Sequence, residues 1–288
     1  MNNYVIHTDS ACDISPDILR DWGVSCCSLT FRFAGEETEY SAYDMQAKAF
    51  YDRMRAGAVA KTAAVNAQAF AEDFERTLSE GKDVLHLGFS SGLSTTSNSA
   101  RLAAEELREK YPDRKIITVD TLSASAGFGL LVYLTVQKKA EGASIEEAAE
   151  YAKSLIPRMC HWFTVDDLVY LKRGGRISPT VAFVGNLVGI KPVLHVDNEG
   201  HLINKSKVRG RKNAIMALAD KYGELCDEIP DGPVFISHGD CLADAQALAN
   251  ILEERYSAKV SLFADVGPVI GAHSGPGTLA LFFLGKER

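Results

Sequence analysis

The chain has 288 residues and a formal net charge of −7, and hydrophobic residues make up 46% of it. This length and composition predict a globular protein with a large core that is divided into two domains. The negative charge disfavours binding to the phosphate backbone of nucleic acid, although short basic clusters remain able to contact an acidic partner.

The sequence carries no pattern of a targeting or membrane segment. Its first ten residues lack the basic and apolar regions of a secretory signal peptide. No apolar run reaches the roughly 18 residues that cross a bilayer. The six cysteines form no CxxC pair and follow neither a zinc-site nor a disulfide pattern. We therefore expect a cytoplasmic protein without a metal or another cofactor.

The first half of the chain alternates short apolar runs with amphipathic stretches. Ser15 and Asn66 are predicted N-caps, and Ser144 with Glu147 is a predicted capping box. Strands are predicted at residues 5–7, 24–33, 84–89 and 115–119, and helices after each cap and at residues 97–110 and 123–139. This alternation predicts a parallel sheet that is covered by helices on both faces.

The pattern changes after about residue 160. Residues 197–200 are a predicted hairpin turn between strands at 192–196 and 202–208. Further helices are predicted at 213–225 and 242–255, and further strands at 234–237, 260–263 and 279–284. We predict an α/β protein with an N-terminal parallel-sheet α/β/α domain over residues 1–157 and a C-terminal mixed α+β domain over residues 158–288.

Two hydroxyl-rich loops follow predicted strands of the first half. The first contains Thr62, and the second, residues 88–97, contains a cluster of serines and threonines. Ligands of open α/β sheets bind at the carboxyl ends of strands, where such hydroxyls can donate to an anion. The same hydroxyls are equally typical of local caps and turns.

Two glycine-rich loops belong to the second half. In residues 171–178, paired glycines permit a tight turn that presents Arg173 and Arg176 outward. These arginines suit a docking or phosphate site, or are simply solvated. Residues 267–277 place His273 among glycines and prolines, either as a ligand-binding group or as a structural imidazole.

A serine hydrolase is the main alternative to a binding protein. Residues 88–92 fit the G-x-S-x-G pattern with Ser90 between a strand and a helix, and Asp240 and His273 follow in triad order. However, the oxyanion-hole segment is missing, and the hydroxyls at residues 94–97 have no role in that mechanism. The P-loop, dinucleotide-binding, HExxH and EF-hand motifs are absent.

Six segments, in this order, resemble the DegV family of bacterial proteins in its fatty-acid-binding (FakB-like) form. They are residues 8–10 (TDS), 90–96 (SSGLSTT), 167–178 (DLVYLKRGGRIS), 189–192 (GIKP), 209–212 (RGRK) and 271–277 (GAHSGPG). The resemblance extends from about residue 4 to residue 285. One segment departs from the family: its usual TSQPS reads TAAVN at residues 62–66, which alters the loop that follows the threonine.

The resemblance implies a carrier without catalytic activity of its own that buries one long-chain fatty acid, such as a C16–C18 acid, in a tunnel between two domains. It implies that Thr62, Ser94 and His273 hold the carboxylate, with Arg209 as a further candidate. Other residues implied near this site are Ser91, Thr95, Ser123 and Gly271. A third class, a regulatory protein in which the lipid is only structural, fits the same sequence.

The resemblance also implies a partner, a DAK-type fatty acid kinase that phosphorylates the bound acyl group, with Arg173 and Arg176 at the docking surface. Burial of each methylene contributes about 0.8 kcal/mol, so apolar walls supply the affinity. Hydroxyl and imidazole donors reduce the cost of burying a carboxylate without a permanent counter-charge. Candidates for the tunnel wall, with core packing as the alternative, are Phe128, Leu131, Phe282 and Phe283.

Overall fold

The fold is seen in a computed structural model that describes residues 3–177, 189–226 and 232–288. Ser178, the last residue of the DLVYLKRGGRIS segment, lies outside them. The strands are β1 (Tyr4–Asp9), β2 (Val24–Cys27), β3 (Thr30–Phe33), β4 (Tyr40–Ser41), β5 (Ala60–Ala63), β6 (Asp83–Gly88), β7 (Ile116–Asp120), β8 (Met159–Thr164), β9 (Ile190–Val196), β10 (Leu202–Arg209), β11 (Val234–His238), β12 (Val260–Asp265) and β13 (Leu279–Leu284). The helices are α1 (Pro16–Asp21), α2 (Ala47–Arg55), α3 (Ala67–Ser79), α4 (Thr96–Lys110), α5 (Ser125–Ala140), α6 (Ile145–Leu155), α7 (Val169–Arg173), α8 (Arg211–Leu225), α9 (Leu242–Tyr256) and α10 (Pro268–Ser274).

A parallel sheet in the order β2-β1-β6-β7 is the centre of the first half, as the alternation of strands and helices predicts. Helices α3, α4 and α6 pack against it. The loops at the carboxyl ends of β1, β6 and β7 therefore meet at one edge of the sheet. This edge faces the second half of the chain.

The helix starts predicted from local patterns are confirmed. Asn66 Oδ1 accepts a hydrogen bond from the backbone N–H of Ala69, 2.9 Å away, at the start of α3. Ser144 and Glu147 form both bonds of a capping box at the start of α6. These contacts lie within one helical turn, so the residues that specify them are adjacent in the sequence.

The single strand predicted over residues 24–33 is wrong. The chain leaves the parallel sheet after β2, and the backbone N–H of Leu29 then donates to Ser10 Oγ at 2.9 Å. It then enters a separate antiparallel sheet in the order β4-β3-β5, which the sequence patterns did not predict. Phe31 and Phe33 of β3 pack against Phe50 of α2 in a small core of their own. This sheet positions β5 and therefore Thr62.

The second half contains a mixed sheet in the order β10-β9-β8-β13-β11-β12, which confirms the predicted mixed α+β character. Its strand β13 pairs antiparallel with both β8 and β11. Side chains alternate along β13, so that Ala280 and Phe282 face the first half while Leu281 and Phe283 pack beneath α8 and α9. The sheet thus has one face for its own core and one face toward the rest of the molecule.

Helix α5 joins the two halves. It begins at Ser125, two residues later than predicted, and it packs against β8, β11 and β13 as well as α6. Phe128 and Leu131 are fully buried on it.

The predicted domain boundary at residue 157 falls in the short 3-10 turn Ile156–Arg158 between α6 and β8, and we propose that turn as the boundary. Within the described ranges, no helix is long and apolar enough to cross a bilayer.

Candidate functional site

A cavity of about 470 Å³ lies between the mixed sheet and the loops at the edge of the parallel sheet. Its volume falls in the range of small-molecule binding sites. Most of its wall is apolar, with Leu29, Phe89 and Leu93 on one side and Phe163 and Phe282 on the other. Both halves of the chain are therefore required to form it.

Thr62 and His273 meet at this cavity although 211 positions separate them in the sequence. Thr62 Oγ1 on β5 lies 2.8 Å from His273 Nε2 on α10. Burial, with a smaller contribution from the charge of Arg176, lowers the pKa of His273 to about 4. The imidazole is therefore neutral near pH 7, and it can share a proton with a hydroxyl or an acid headgroup.

The close approach of α7 to His273 requires a glycine. A Cβ atom on Gly174 would collide with His273 Nδ1, so only glycine permits this contact. Nδ1 itself is buried and has no hydrogen-bond partner among the residues that the structure describes. The GGR loop thus forms one wall around the imidazole.

Ser94 lines the same cavity at the start of α4. Its Oγ lies 2.9 Å from Thr96 Oγ1 and accepts a hydrogen bond from the Thr96 backbone N–H at 3.2 Å. Ser91 and Thr95, two of the neighbouring residues named from the sequence, also line the cavity. The hydroxyl-rich loop therefore combines local capping with hydroxyl groups that face the cavity.

The expectation that Arg176 faces outward is wrong. Gly175 adopts a positive φ of 70°, which turns the chain back on itself. Arg176 is half-buried and lines the cavity, where its Nε donates to the carbonyl of Leu93 at 3.1 Å and its Nη1 to that of Gly174 at 2.6 Å. Burial lowers the pKa of this guanidinium, which still remains charged near pH 7. The site therefore contains a fixed positive charge, contrary to the expectation of uncharged donors alone.

A family model described as the DegV family matches residues 3–286. The chain belongs to the DegV family. It is 42% identical, over its whole length, to a DegV domain-containing protein of Clostridium perfringens, of which it covers 99%.

Two solved structures are similar to this one. A DegV lipid-binding protein from Thermotoga maritima is 31% identical, with 99% of each chain covered and a TM-score of 0.86. A stearic acid-binding protein from Eubacterium ventriosum is 26% identical, with 98% of each chain covered and a TM-score of 0.88. These likenesses agree with the resemblance seen in the motifs.

Three further residues named from the sequence do not line the cavity of this DegV protein: Arg209, a carboxylate candidate, and Ser123 and Gly271, two of the nearby residues. Arg209 is exposed at the end of β10 and is not part of the cavity wall, and its place in the carboxylate network stays a prediction. Ser123 is buried, and its Oγ donates to the carbonyl of Thr121 at 2.9 Å. Gly271 packs against Tyr51, whose hydroxyl leaves no room for a larger residue. Ser123 and Gly271 therefore support the fold around the site rather than lining it.

Of the four tunnel-wall candidates, only Phe282 lines the cavity. Phe283 points to the opposite face of the mixed sheet and packs against Tyr222 of α8. Phe128 and Leu131 belong to the core around α5. Their apolar character alone does not distinguish a cavity wall from a filled core, and for these three residues core packing is what the structure shows.

The three residues of the hydrolase hypothesis do not form a triad. Ser90 Oγ is buried and donates to the carbonyl of Gly200 at 2.9 Å. Asp240 forms an ion pair with Arg55. His273 is paired with Thr62 and not with Ser90, so the predicted base does not contact the predicted nucleophile.

The TDS segment at the end of β1 holds the site loops in place. Asp9 accepts hydrogen bonds from the backbone N–H groups of Phe89, at 2.9 Å, and of Ala11, at 3.1 Å. The first of these bonds joins β1 to the hydroxyl-rich loop. Burial raises the pKa of Asp9 to about 7, although both N–H donors oppose this. The motif therefore has a structural role in positioning Ser94.

A second polar group, absent from the sequence-based predictions, lies beside the cavity. Asp13 is buried and accepts hydrogen bonds from Ser125 Oγ at 2.5 Å and from the Gly267 backbone N–H at 3.0 Å. Ser125 Oγ is also 3.0 Å from Ser237 Oγ on β11. Single serines and aspartates in separate loops carry no local signal of such a network.

Among the described residues there is no group of three side chains suited to a metal ion.

Asp13 is expected to make the protein less stable as the pH rises. Burial raises its pKa from 3.8 to about 7, so the folded protein holds a proton that the unfolded chain releases. The stabilisation that this bound proton gives the folded state is complete below about pH 4 and is lost as the pH rises past 7. Between about pH 5 and about pH 8, the free energy of unfolding should fall by about 2 kcal/mol less in the Asp13→Asn variant than in the wild-type protein. Urea denaturation at the two pH values measures this difference. Asp17→Asn, at an exposed position, is the control, and an unchanged fall in the Asp13 variant would contradict the assignment.

Proposed function

We propose that this protein binds one long-chain fatty acid in the cavity, with the carboxylate at Thr62, Ser94 and His273. The observation that carries the proposal is the pairing of Thr62 with His273, 2.8 Å apart, in the wall of a cavity that is mostly apolar. The similar structures described as a DegV lipid-binding protein and a stearic acid-binding protein support it.

The acyl chain supplies most of the affinity. Burial of each methylene contributes about 0.8 kcal/mol, so a chain of about sixteen carbons exceeds the cost of ordering the ligand. The apolar wall includes Leu29, Phe89 and Phe163, which come from three different loops and strands. The length and saturation of the preferred acid follow from the shape that these walls enclose.

The headgroup is stabilised by neutral donors together with one charge. A buried carboxylate without partners is very unfavourable. In the proposed complex, Thr62 and Ser94 donate through their hydroxyls, and the half-buried Arg176 lowers the cost further through its charge. Neutral His273 donates its Nε2–H to Thr62 Oγ1, which leaves the Thr62 hydroxyl proton free for the carboxylate.

We further propose that the bound acid is presented to a partner fatty acid kinase that forms an acyl phosphate with ATP. Ser91 and Thr95 line the cavity and are exposed to solvent, so the carboxylate end lies near the surface. Arg173 is exposed at the end of α7, next to Gly174, which packs against His273, and its guanidinium lies 5.7 Å from the centre of the Tyr170 ring. It is the remaining docking candidate, since Arg176 belongs to the cavity.

Mass spectrometry of organic extracts tests the ligand class. The purified protein is expected to release one fatty acid per chain, and the double variant Thr62→Ala/Ser94→Ala to release at most about a tenth of that. The reason is that each hydrogen bond to a charged group contributes about 1.5 kcal/mol or more. Ser79→Ala, which removes an exposed hydroxyl far from the cavity, is the control. Full retention by the double variant, or extracts without fatty acid, would count against the proposal.

A further inference from the structure

Asp13 joins the loop after β1 to the helix that carries His273. It follows the short 3-10 turn Ser10–Cys12, which packs against both α5 and α10. Its Oδ1 accepts a hydrogen bond of 3.0 Å from the backbone N–H of Gly267, the residue that immediately precedes α10. The two residues are 254 positions apart in the sequence, and Asp13 is only 8% exposed. A buried carboxyl group of the first half therefore holds the start of a helix of the second half.

The second carboxyl oxygen of Asp13 holds another helix start. Oδ2 accepts a hydrogen bond of 2.5 Å from Ser125 Oγ, and Ser125 is the first residue of α5. Both residues have a φ of 54°, in the left-handed region where a backbone other than that of glycine is strained. Such strain persists only where surrounding contacts fix the conformation, and it is concentrated at functional sites.

The contact between Asp13 and Gly267 leaves little room for adjustment. A Cβ atom on Gly267 would lie 2.8 Å from Asp13 Oδ1, closer than such atoms approach in proteins. The carboxyl group therefore fixes where the peptide group of Gly267 lies, and with it the first turn of α10. Tyr51 of α2 holds the preceding residue, because its hydroxyl donates to the carbonyl of Val266 at 2.7 Å. Two consecutive residues before α10 are thus anchored by buried side chains.

The anchored end of α10 determines where the imidazole of His273 lies. The helix has only seven residues, and His273 lies six residues after Gly267, or about 9 Å along the axis. Backbone hydrogen bonds from Gly271 to Gly267, at 2.7 Å, and from Gly275 to Gly271, at 2.8 Å, span its length. The helix therefore moves as one unit. A shift of about 1 Å would lengthen the contact of 2.8 Å between His273 and Thr62 beyond a hydrogen bond.

We propose that Asp13 is a positioning residue for the headgroup site, and that it holds His273 against Thr62 through the start of α10. Asp13 itself does not line the cavity. The inference rests on the proposed fatty-acid function, because it names a residue outside the cavity wall on which carboxylate binding depends. A side chain at position 13 that keeps an acceptor toward Gly267 preserves the site, and one that lacks it loses the alignment of His273.

Asp13→Gly and Asp13→Asn separate this role from backbone strain. Glycine adopts the left-handed conformation freely, so Asp13→Gly removes the carboxyl group without adding strain. Asparagine also tolerates this conformation, and its amide can accept from the Gly267 N–H and donate to Ser125 Oγ. Titration calorimetry with palmitic acid uses the full-length protein after removal of bound lipid. The affinity should be about tenfold weaker for Asp13→Gly and within about threefold of wild type for Asp13→Asn.

Asp73→Ala is the matched control for loss of a buried carboxylate. Asp73 of α3 bonds to His7 and Ser25, and none of these three residues lines the cavity. This variant should lose stability but keep the affinity for palmitic acid. The NMR resonance of His273 Nε2 supplies a readout without lipid. Asp13→Gly should shift this resonance, whereas Asp13→Asn and Asp73→Ala should not.

Gly267→Ala tests the same contact from the other side, with Asp13 intact. Its Cβ atom collides with Asp13 Oδ1, so palmitic acid should bind about tenfold more weakly. In Asp13→Gly the collision is relieved, and addition of Gly267→Ala should then lower the affinity by less than about threefold.

Wild-type affinity in Gly267→Ala would overturn the inference even if Asp13→Gly does not fold. Wild-type affinity together with an unshifted His273 resonance in Asp13→Gly would also overturn it, as would an equal loss of affinity in Asp73→Ala. Failure of the wild-type protein to bind palmitic acid would instead overturn the proposed function. The His273 resonance would then still test the position of the imidazole.

Discussion

Arg176→Met is expected to weaken fatty acid binding about 100-fold. Its guanidinium is the charged group that the GGR turn directs into the cavity wall, where it also lowers the pKa of His273. Loss of a buried charge from a carboxylate site typically costs about 2–5 kcal/mol, because the remaining charge is left unpaired. Methionine keeps much of the aliphatic stem, so the change tests the charge more than the packing. Titration calorimetry with a C16 or C18 acid measures the loss.

Arg173→Met is the matched control for this variant. Arg173 is exposed on the same segment and does not line the cavity, so its loss should change affinity less than about threefold. If Arg173 belongs to the docking surface, a kinase-coupled assay should show reduced acyl phosphate formation in the Arg173 variant although its lipid binding is normal. In the Arg176 variant, the pKa of His273 should rise, as followed by NMR, because a nearby positive charge has been removed. Equal lipid affinities for the two variants would contradict the assignment of Arg176 to the carboxylate site.

Ala280→Phe is expected to abolish fatty acid binding while leaving the protein folded. Ala280 lies on β13 opposite Phe163, and both side chains line the cavity. A phenyl ring at this position occupies the space of about five methylenes, which corresponds to about 4 kcal/mol, or about 1000-fold in affinity. The cavity of about 470 Å³ has room for the ring, so the thermal midpoint should fall by no more than a few degrees.

The control for this variant is Ala247→Phe, on the exposed surface of α9. It adds the same ring at a position that does not line the cavity, and it should leave binding unchanged. Loss of binding in the Ala280 variant together with loss of cooperative unfolding would point to misfolding, and circular dichroism distinguishes the two. Unchanged affinity of a well-folded Ala280 variant would show that the acyl chain lies elsewhere.

Much of the local structure and the family membership could be predicted from the sequence because their signals lie within short segments. The caps at Asn66 and Ser144 act through atoms no more than three residues away. Phe70, Phe74 and Leu78 share one face of α3 by helical periodicity, and all three are buried. The six family segments are equally local, since each is a short run of specific residues.

The geometry of the site was decided by the tertiary structure alone. The contact between Thr62 and His273 depends on the packing of the small antiparallel sheet against α10, and no local pattern reports it. Arg176 faces inward because the positive φ of Gly175 and the carbonyl of Leu93 direct it there. The sequence predicts that side chains of β13 alternate between its two faces, but it does not predict which face borders a cavity. A cavity is space left unfilled between elements from distant parts of the chain, so it has no signature in any one of them.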